Sequence, residues 1–589
     1  SCSRAKTPAA PAVSTEARLA RFVDAVFERR LKRSPQLQTI LGTRRSGKWD
    51  DISDRRWHRR VTRARKDLEI LRRDFDRSTL SPQGQTTYDL FEYRTKKIIE
   101  QFRWRFHSYP VNPMYGLQSR APAFLINYHS IDSEADARTY IERLRGIGPL
   151  FDTLIAELKS REQRGVVPPR FLFPMVITAA NNVVRGRPFD DSDVDSTLLA
   201  DFRTKLEKLD DIDESTRRAL ASDAQAALEG SVGPAYQRLT AFLTAQEHRA
   251  GDAIGAWSLP NGGDYYQHRL RINTTTSMDA KAIHELGLRE VARIHAEIET
   301  IKERIGFPGT LAEFFAHLRT SDEFYYPNDD AGRTAYLQRA QLTIDQMRPR
   351  LGELFLELPR ASVVVKRVEA FRESSAGKAF YNLPAEDGSR PGVYYTNLHD
   401  MRSLPKYQLE ALTFHESIPG HHIQLAFAQE LRGIPKFRRY GRYAAYSEGW
   451  GLYAERLPKE LGFYQDPYSD LGRRALELWR ATRLVVDTGI HQFRWTRQQA
   501  IDYLLTHTPN PEGDAIRAID RYIVMPGQAT AYKIGMNTLL DLRREARQAL
   551  GPRFDLREFH HVILTAGPMP LSLLSTVVHR WLDSKRPTN

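Results

Sequence analysis

One short stretch of this 589-residue chain has the pattern of β-strands, and nearly everything else has the spacing of amphipathic helices. The runs ASVVVKRVEAF, KAFYNLP and GVYYTNLH fall at about residues 361–398 and are separated by Gly, Ser, Asn and Pro, which is typical of strands joined by turns. Elsewhere apolar residues recur at helical spacing. We therefore predict a mainly α, multi-helical protein with one small antiparallel sheet of about three strands.

The length of the chain predicts more than one packing unit, because single hydrophobic cores stop growing well below 589 residues. Helical patterns run from residue 17 to about residue 270 and resume at Ser277. We predict a two-lobed molecule in which residues 17–270 form a helical N-terminal lobe. Residues 271–589 form a second region that contains the sheet.

The only cysteine is Cys2, so no internal disulfide is possible. It follows a small residue and precedes a tether rich in Pro, Ala and Ser, which resembles the start of a mature bacterial lipoprotein. We predict a tether at residues 1–16 and export to the periplasm or the outer membrane. A lipid on Cys2 would be the only membrane attachment, because no apolar run is long enough to span a bilayer. An incidental cysteine is the alternative.

The net charge of +14 raises the question of a nucleic-acid partner. The densest basic stretch, RRWHRRVTRARK at residues 55–66, places Trp57, Val61 and Ala64 on one helix face and its arginines on the solvated face. The chain has no zinc finger, RNA-binding aromatic motif or helix-turn-helix signature. We expect no nucleic-acid partner, and an anionic envelope surface would also suit this charge.

The segment TFHESIPGHHIQLA, residues 413–426, resembles an interrupted zinc-protease motif. The usual motif is H-E-x-x-H, in which two imidazoles four residues apart on a helix share a metal ion. His415 and Glu416 match its start, but Pro419 stands where the second histidine belongs. The next histidines are His421 and His422, and neither could reach an ion shared with His415 on an unbroken helix.

The Pro-Gly pair between the histidines would interrupt the helix and so change the distance between them. Pro419 has no N–H and its ring clashes with the carbonyl four residues earlier, while Gly420 accepts the φ that a detour requires. We predict a two-residue bulge that brings His421 into the position of the second zinc ligand. His422 is the alternative ligand, because the handedness of the bulge decides which imidazole faces inward.

The third ligand is expected from a separate helix, because a catalytic zinc site needs three protein ligands and one open position. The segment YSEGWGLYAERL supplies Glu448, with Gly449 and Gly451 permitting close helix approach. Glu455 lies on the same face and could orient a ligand imidazole. We predict Zn²⁺ held by His415, His421 and Glu448.

Glu416 follows the first ligand directly and would lie over the open zinc position. A carboxylate there can take a proton from water as a general base. A pure metal-binding protein needs no such group. The sequence therefore favours a zinc-dependent metallohydrolase, with a non-catalytic metal- or peptide-binding lipoprotein as the alternative.

These motifs, together with VVDTGIH, WTRQQAIDYL and MPGQATAYKIG, resemble the bacterial domain-of-unknown-function family 885, which has lipoprotein members. The resemblance covers nearly the whole chain beyond the tether. That family is similar to the gluzincin zinc peptidases, in which two histidines and a downstream glutamate hold the metal. It implies a clefted, zincin-like fold, a sheet edge that lines the substrate groove, and peptidase activity in residues 271–589.

Two segments could complete a peptidase site. Arg483, Asp487 and His491 recur every four residues, so Asp487 could orient His491. Either His491 or Tyr532 is then the candidate donor to the oxyanion of a tetrahedral intermediate. An interhelical ion-pair network is the alternative explanation of the stripe.

Substrate contacts are predicted at the last strand-like run and near the C-terminus. The backbone of Tyr394, Tyr395 and Asn397 could hold an extended peptide as an added strand. Arg521, or Lys533, could bind a substrate carboxylate. The partner predicted from these residues is a peptide of the cell envelope, and the sequence does not distinguish endopeptidase from exopeptidase action.

Overall fold

The computed structural model of the chain describes residues 14–43, 46–368, 373, 377–384 and 390–586. The chain is 69% helix and 3% strand, which confirms the mainly α prediction. Cys2 and most of the predicted tether lie outside the described residues. The first helix begins at Thr15, so the last two residues predicted as tether are helical, with the side chain of Ser14 capping the helix.

The helices that precede residue 277 carry their apolar residues on one face, as the periodicity predicts. In the basic stretch, Val61 and Ala64 are buried while Arg59 and Arg60 are exposed. The helices are α1 Thr15–Leu31, α2 Pro35–Ile40, α3 Asp54–Asp74, α4 Pro82–Gln101, α5 Leu117–Tyr128, α6 Glu134–Arg145, α7 Ile147–Glu162, α8 Phe173–Val183, α9 Thr197–Leu206, α10 Glu214–Ala227, α11 Gly233–Glu247 and α12 Gly262–Thr274.

The helices after residue 277 surround one long buried helix, α21, which packs along α13. No helix in the described part of the chain is long and apolar enough to cross a membrane. These helices are α13 Ala280–Ile305, α14 Leu311–Thr320, α15 Asp330–Met347, α16 Leu409–Glu416, α17 His421–Glu430, α18 Lys436–Arg439, α19 Ala444–Ala454, α20 Leu457–Glu460, α21 Pro467–His491, α22 Arg497–His507, α23 Glu512–Val524, α24 Ala531–Leu550, α25 Leu556–Ala566 and α26 Leu571–Ser584.

The sheet consists of β1 Val363–Arg367, β2 Ala379–Asn382 and β3 Gly392–Thr396, in the order β1-β3-β2. Three strands were predicted and three are present, but the wholly antiparallel arrangement was wrong. β3 pairs antiparallel with β2 and parallel with β1. The chain reverses twice between β1 and β3, so these two strands run the same way. The most buried strand, β3, takes the central position between them.

Two of the hydrophobic clusters describe how the chain packs. One is built from residues of the range 111–250, with Phe151 and Phe202 fully buried. The other joins Leu19 of α1 and Phe91 of α4 to Trp450 of α19. The N-terminal helices therefore contribute to the same core as the helices that carry the predicted metal ligands, and the boundary near residue 270 stays a prediction.

Candidate metal centre

The helix carrying His415 ends directly after it, at Glu416, and α17 begins at His421. Between them the backbone turns, with a cis peptide bond between Ile418 and Pro419. The amide of His422 donates to the carbonyl of Ser417 at 3.0 Å, which links the restarted helix to the end of α16. The helix is thus interrupted where the proline predicts it.

Gly420 is required in this turn for a different reason from the one expected. Its φ is −81°, outside the left-handed region, so no unusual φ is involved. A Cβ atom there would lie 2.0 Å from the carbonyl oxygen of His415 and 2.3 Å from that of Phe414. The indole N–H of Trp450 donates to the carbonyl of Pro419 at 3.1 Å and holds the turn against α19.

Three of the predicted residues converge at this turn. Nε2 of His415 lies 3.8 Å from Oε2 of Glu448, and Nε2 of His421 lies 3.7 Å from the same oxygen. The nearest ligand atoms of all three residues lie within 4.8 Å of one another. Donors around a tetrahedral zinc ion at its usual bond lengths are about 3.3 Å apart. The cluster therefore has nearly the size that such an ion requires.

His415 is oriented by a carboxylate on the side away from the cluster. Its Nδ1–H donates to Oε1 of Glu455 at 2.8 Å, which fixes the ring with its Nε2 toward Glu448. Burial would lower the pKa of His415, but Glu448 and Glu455 raise that pKa to about 10. The two carboxylates thus create a site that favours positive charge.

The same contacts shift the pKa of Glu448 in the opposite direction from that of His415. Burial would raise its pKa, but hydrogen bonds and charge from His415 and His421 hold the pKa of Glu448 well below its usual range. Its carboxylate is therefore ionised at neutral pH. Two imidazoles and one carboxylate form a donor set that suits zinc.

The glycines of α19 allow the close approach that their positions predict. A Cβ atom on Gly451 would lie 2.7 Å from Cε1 of His415. A Cβ atom on Gly449 would lie 2.5 Å from Cα of Gly535 in α24. One glycine makes room for a ligand imidazole, and the other brings α24 against the helix that carries Glu448.

Glu416 lies at the end of α16 and is buried. Its Oε2 has no hydrogen-bond partner among the described residues, and its charge contributes to the raised pKa of His415. A buried carboxylate oxygen without a partner is costly unless a ligand or water completes it. The predicted general base therefore has one oxygen that can still accept a hydrogen bond from a ligand or water.

His422 does not join the cluster. Its Nε2–H donates to the carbonyl of Ala361 at 2.9 Å, and its Nδ1 accepts from the hydroxyl of Tyr381 at 2.8 Å. Burial lowers the pKa of His422 to about 4. Of the two histidines that the sequence offered as the second ligand, His421 lies beside His415 and Glu448. His422 instead joins α17 to the sheet.

The predicted pairing of Asp487 with His491 is wrong. Both nitrogens of His491 bind backbone, because Nδ1 accepts from the amide of Ala256 at 2.9 Å and Nε2–H donates to the carbonyl of Tyr522 at 2.9 Å. Asp487 instead accepts from the hydroxyl of Tyr266 at 2.6 Å. Neither ring nitrogen of His491 is left to stabilise an oxyanion.

Tyr532 remains as the candidate oxyanion donor. Nη2 of Arg521 donates to its hydroxyl oxygen at 3.3 Å, and the guanidinium of Arg483 lies 4.5 Å from the centre of its ring. Burial and the charge of Glu448 would raise its pKa, but Arg521 and Arg483 outweigh both, so the pKa of Tyr532 is lowered. Tyr532 lies on α24, which packs against the helix that carries Glu448.

The predicted peptide contacts on β3 are wrong as backbone contacts. β3 is the central strand, so Tyr394 faces Val365 on one side and Tyr381 on the other. The amide of Asn397 donates to the carbonyl of Lys378, and Tyr395 stacks on Phe380. The backbone from Tyr394 to Asn397 therefore has no free side for an added strand.

Lys533, the other predicted contact of a substrate carboxylate, already pairs with carboxylates of the protein. Its ammonium is fully buried and contacts Glu477 at 2.6 Å and Glu290 at 2.9 Å. It therefore belongs to an interhelical ion-pair network between α13, α21 and α24. Arg521 is not part of that network.

Three residues that were not predicted from the sequence support the cluster. Trp450 holds the interrupted turn, Arg480 lies 3.6 Å from Glu455, and Tyr381 binds His422. Trp450 stands between the two glycines of α19, which was a usable signal. Nothing in the sequence indicated the partners of Arg480 or Tyr381, because both contacts depend on tertiary packing.

The sequence and the fold of this chain are similar to those of other bacterial proteins. Residues 35–578 match the profile of a family described as bacterial protein of unknown function, DUF885. The crystal structure of a candidate lipoprotein from Colwellia psychrerythraea is 30% identical, with a TM-score of 0.91, over 97% of this chain and 100% of that one. A candidate lipoprotein of unknown function from Shewanella oneidensis is 18% identical, with a TM-score of 0.71, over 96% of this chain and 100% of its own, and so shares the fold. No protein with a curated description matches the chain.

Proposed function

This chain belongs to the bacterial protein family DUF885, and we propose that it is a zinc-dependent hydrolase that cleaves peptide bonds in the bacterial envelope. One observation carries the proposal. His415, His421 and Glu448 converge on a common point, and beside them the buried carboxylate of Glu416 has an oxygen without a hydrogen-bond partner among the described residues. A metal-binding protein without catalysis has no use for that fourth group.

His415, His421 and Glu448 would hold the ion, with Glu455 fixing the ring of His415. A zinc ion there would supply Lewis acidity and lower the pKa of water to about 7. Glu416 accepts the proton of the attacking water and passes it to the leaving amine. Tyr532 donates its O–H to the oxygen that becomes negative during attack.

The sheet offers an edge for an extended substrate. β2 is an edge strand in the described sheet, and its Tyr381 binds His422, the residue after the proposed ligand His421. A peptide pairing with β2 would thus run beside the metal cluster. This assignment replaces β3, whose backbone is already paired on both sides.

The envelope location rests on the N-terminal sequence and on the family. Cys2 begins a segment resembling that of a lipidated protein, and both structural relatives are described as candidate lipoproteins. An enzyme tethered in this way would meet peptides of the periplasm or the outer membrane.

The first experiment measures metal content and turnover together. Protein purified without chelator should contain about one zinc per chain by mass spectrometry, and His415→Ala should lose it. Glu416→Gln should keep the zinc and lose about 10²–10⁴-fold in turnover of a peptide mixture, because the general base is gone.

Two results would count against the proposal. Unchanged turnover in Glu416→Gln would exclude this mechanism. Absence of zinc, with none taken up from solution, would exclude the metal site and favour a peptide-binding lipoprotein.

A further inference from the structure

Two arginines meet at Tyr532 of α24. Arg483 of α21 is only 9% exposed, and its guanidinium carbon lies 4.5 Å from the centre of the Tyr532 ring. Arg521 of α23 donates from Nη2 to Gln528 at 2.7 Å and to the Tyr532 hydroxyl at 3.3 Å. Two helices therefore place positive charges beside a tyrosine that a third helix carries.

These two guanidinium groups lack acidic partners. Within the described residues, neither Arg483 nor Arg521 forms an ion pair with a carboxylate, and Nε and Nη1 of Arg483 and Nε of Arg521 are buried without hydrogen-bond partners. Other arginines of α21 are matched, since Arg473 pairs with Asp470 and Arg474 with Glu477. A buried guanidinium without a counter-ion is costly, as any unpaired buried charge is. A ligand that brings a negative charge would complete both groups.

The position of the pair relates it to the metal cluster. Arg480 lies one helical turn before Arg483, and its Nη2 is 3.6 Å from Oε1 of Glu455, which binds His415. Tyr532, which both arginines contact, lies on α24, and α24 touches α19 at the glycine next to Glu448. The arginines are therefore beside the proposed active site and not on a remote surface.

We propose that Arg483 and Arg521 bind the C-terminal carboxylate of the peptide substrate, so that the enzyme removes residues from the C-terminal end. Guanidinium groups match the geometry of a carboxylate and bind it with charge-assisted hydrogen bonds. An internal peptide bond of a long chain would leave both charges unpaired, which disfavours endopeptidase action. The catalytic part of this inference rests on the proposed function, whereas carboxylate binding does not.

Substrate pools that differ only at the C-terminus test the inference. Zinc-loaded protein is incubated with a pool of tetrapeptides, with the same pool as C-terminal amides, and with amides whose last residue is glutamate. Mass spectrometry should show free acids cleaved about tenfold to a hundredfold faster than amides. Equal rates for acids and amides would overturn the inference, and so would rescue by the glutamate side chain alone, which would assign the site to acidic side chains.

A binding measurement separates this inference from the proposed hydrolysis. Glu416→Gln protein is titrated calorimetrically with trialanine and with trialanine amide. Tighter binding of the free acid supports the carboxylate site even if no peptide is cleaved by the wild type. Equal binding of the two, or binding of neither at millimolar concentration, overturns it.

Variants assign the preference to the arginines. Arg521→Gln should reduce the acid-over-amide preference to about twofold or less, while Arg521→Lys keeps part of it, because lysine retains the charge but not the planar fork. Arg483→Gln should act in the same way, and Arg521, which is less buried, serves if Arg483→Gln does not fold. Arg544→Gln removes an exposed charge of α24 and should leave the preference unchanged. An unaltered preference in both arginine variants would contradict the assignment.

Discussion

At the scale of single residues, the absence of a side chain shapes the candidate metal centre as much as the three proposed ligands do. Gly451 faces the imidazole of His415, and a methyl group there would overlap the ring at 2.7 Å. His415 cannot retreat, because Glu455 holds its other nitrogen. Gly263, which also lies in a helix, has open space around it. The two glycines thus form a matched pair, one constrained by the site and one not.

We predict that Gly451→Ala weakens zinc binding about tenfold to a hundredfold, because the added methyl group displaces the ring of His415 from the other ligands. Competition with a zinc chelator measures the affinity. Gly263→Ala should leave zinc affinity unchanged and raise helix stability by about 0.5–1 kcal/mol. Equal zinc affinity in both variants would show that Gly451 does not set the ligand geometry.

The residues that the sequence predicted correctly as neighbours follow from helix geometry. A proline ends the hydrogen-bonding of α16, so an interruption before the next histidines could be predicted, although the choice between His421 and His422 could not. Glu448 and Glu455 are seven residues apart, which places them on one helix face. The same counting failed for Asp487 and His491. Spacing by four gives a common face, but it does not say what packs against that face, and here Tyr266 and backbone groups of α23 occupy it.

At the scale of elements, the position of α24 against α19 decides where Tyr532 stands. The two helices touch through Gly449 and Gly535, where a Cβ atom on Gly535 would lie 2.0 Å from the carbonyl oxygen of Ala445. Glu448 precedes one glycine and Tyr532 lies almost one turn before the other. The separation of the helices therefore sets the distance between the carboxylate and the phenol.

Gly535→Ala should push the helices apart, lower the free energy of unfolding by about 1–3 kcal/mol, and reduce turnover more than zinc affinity. The reason is that Tyr532 moves with α24, whereas the three proposed ligands stay on α16, α17 and α19. Chemical denaturation, chelator competition and peptide turnover supply the three readouts. Gly230→Ala, at a position with open space, is the control. Loss of zinc affinity equal to the loss of turnover would refute this separation of roles.

The positions of the three strands could be predicted from the sequence, but their order in the sheet could not. Runs of β-branched and aromatic residues bounded by turn residues located all three strands, because such residues favour extended backbone. Their order does not follow from the pattern, since it depends on which strand the helices cover most completely. β3 is the most buried and therefore lies in the centre, which moves the available backbone edge from Tyr394 to β2.

At the scale of the whole molecule, part of the excess positive charge is concentrated and not dispersed. Arg60 of α3 and Arg94 and Lys97 of α4 act on one another electrostatically, together with Arg269 of α12. Burial and these neighbours lower the pKa of Lys97 to about 8. The expectation that the arginines of α3 are merely solvated is thus incomplete, because Arg60 faces other cations.

We predict that Lys97→Met raises the free energy of unfolding at pH 7 by about 1–3 kcal/mol. Below pH 8 Lys97 is charged in both states, and the folded state bears the full cost of that charge. Between pH 8 and 10.5 the unfolded chain binds more protons, so the wild type gains stability as pH rises and the difference fades.

Denaturation of both proteins at a series of pH values measures this effect. Lys96→Met, at the exposed neighbour that pairs with Glu92, should give no such gain at pH 7. A difference between Lys97→Met and wild type that is constant from pH 7 to 10.5 would show that the lysine charge is not responsible.

His421 and His422 are consecutive residues of one helical turn, yet one faces the metal cluster and the other fastens the turn to the sheet through Tyr381 and Ala361. We therefore expect a movement of the sheet edge to shift the neighbouring residue His421, the proposed ligand. Thermodynamic linkage makes such coupling reciprocal: a peptide that tightens the edge alters the affinity for metal by the same factor by which metal alters the affinity for peptide. Metal binding and peptide binding would then be coupled, so that a change in one affinity would be seen in the other.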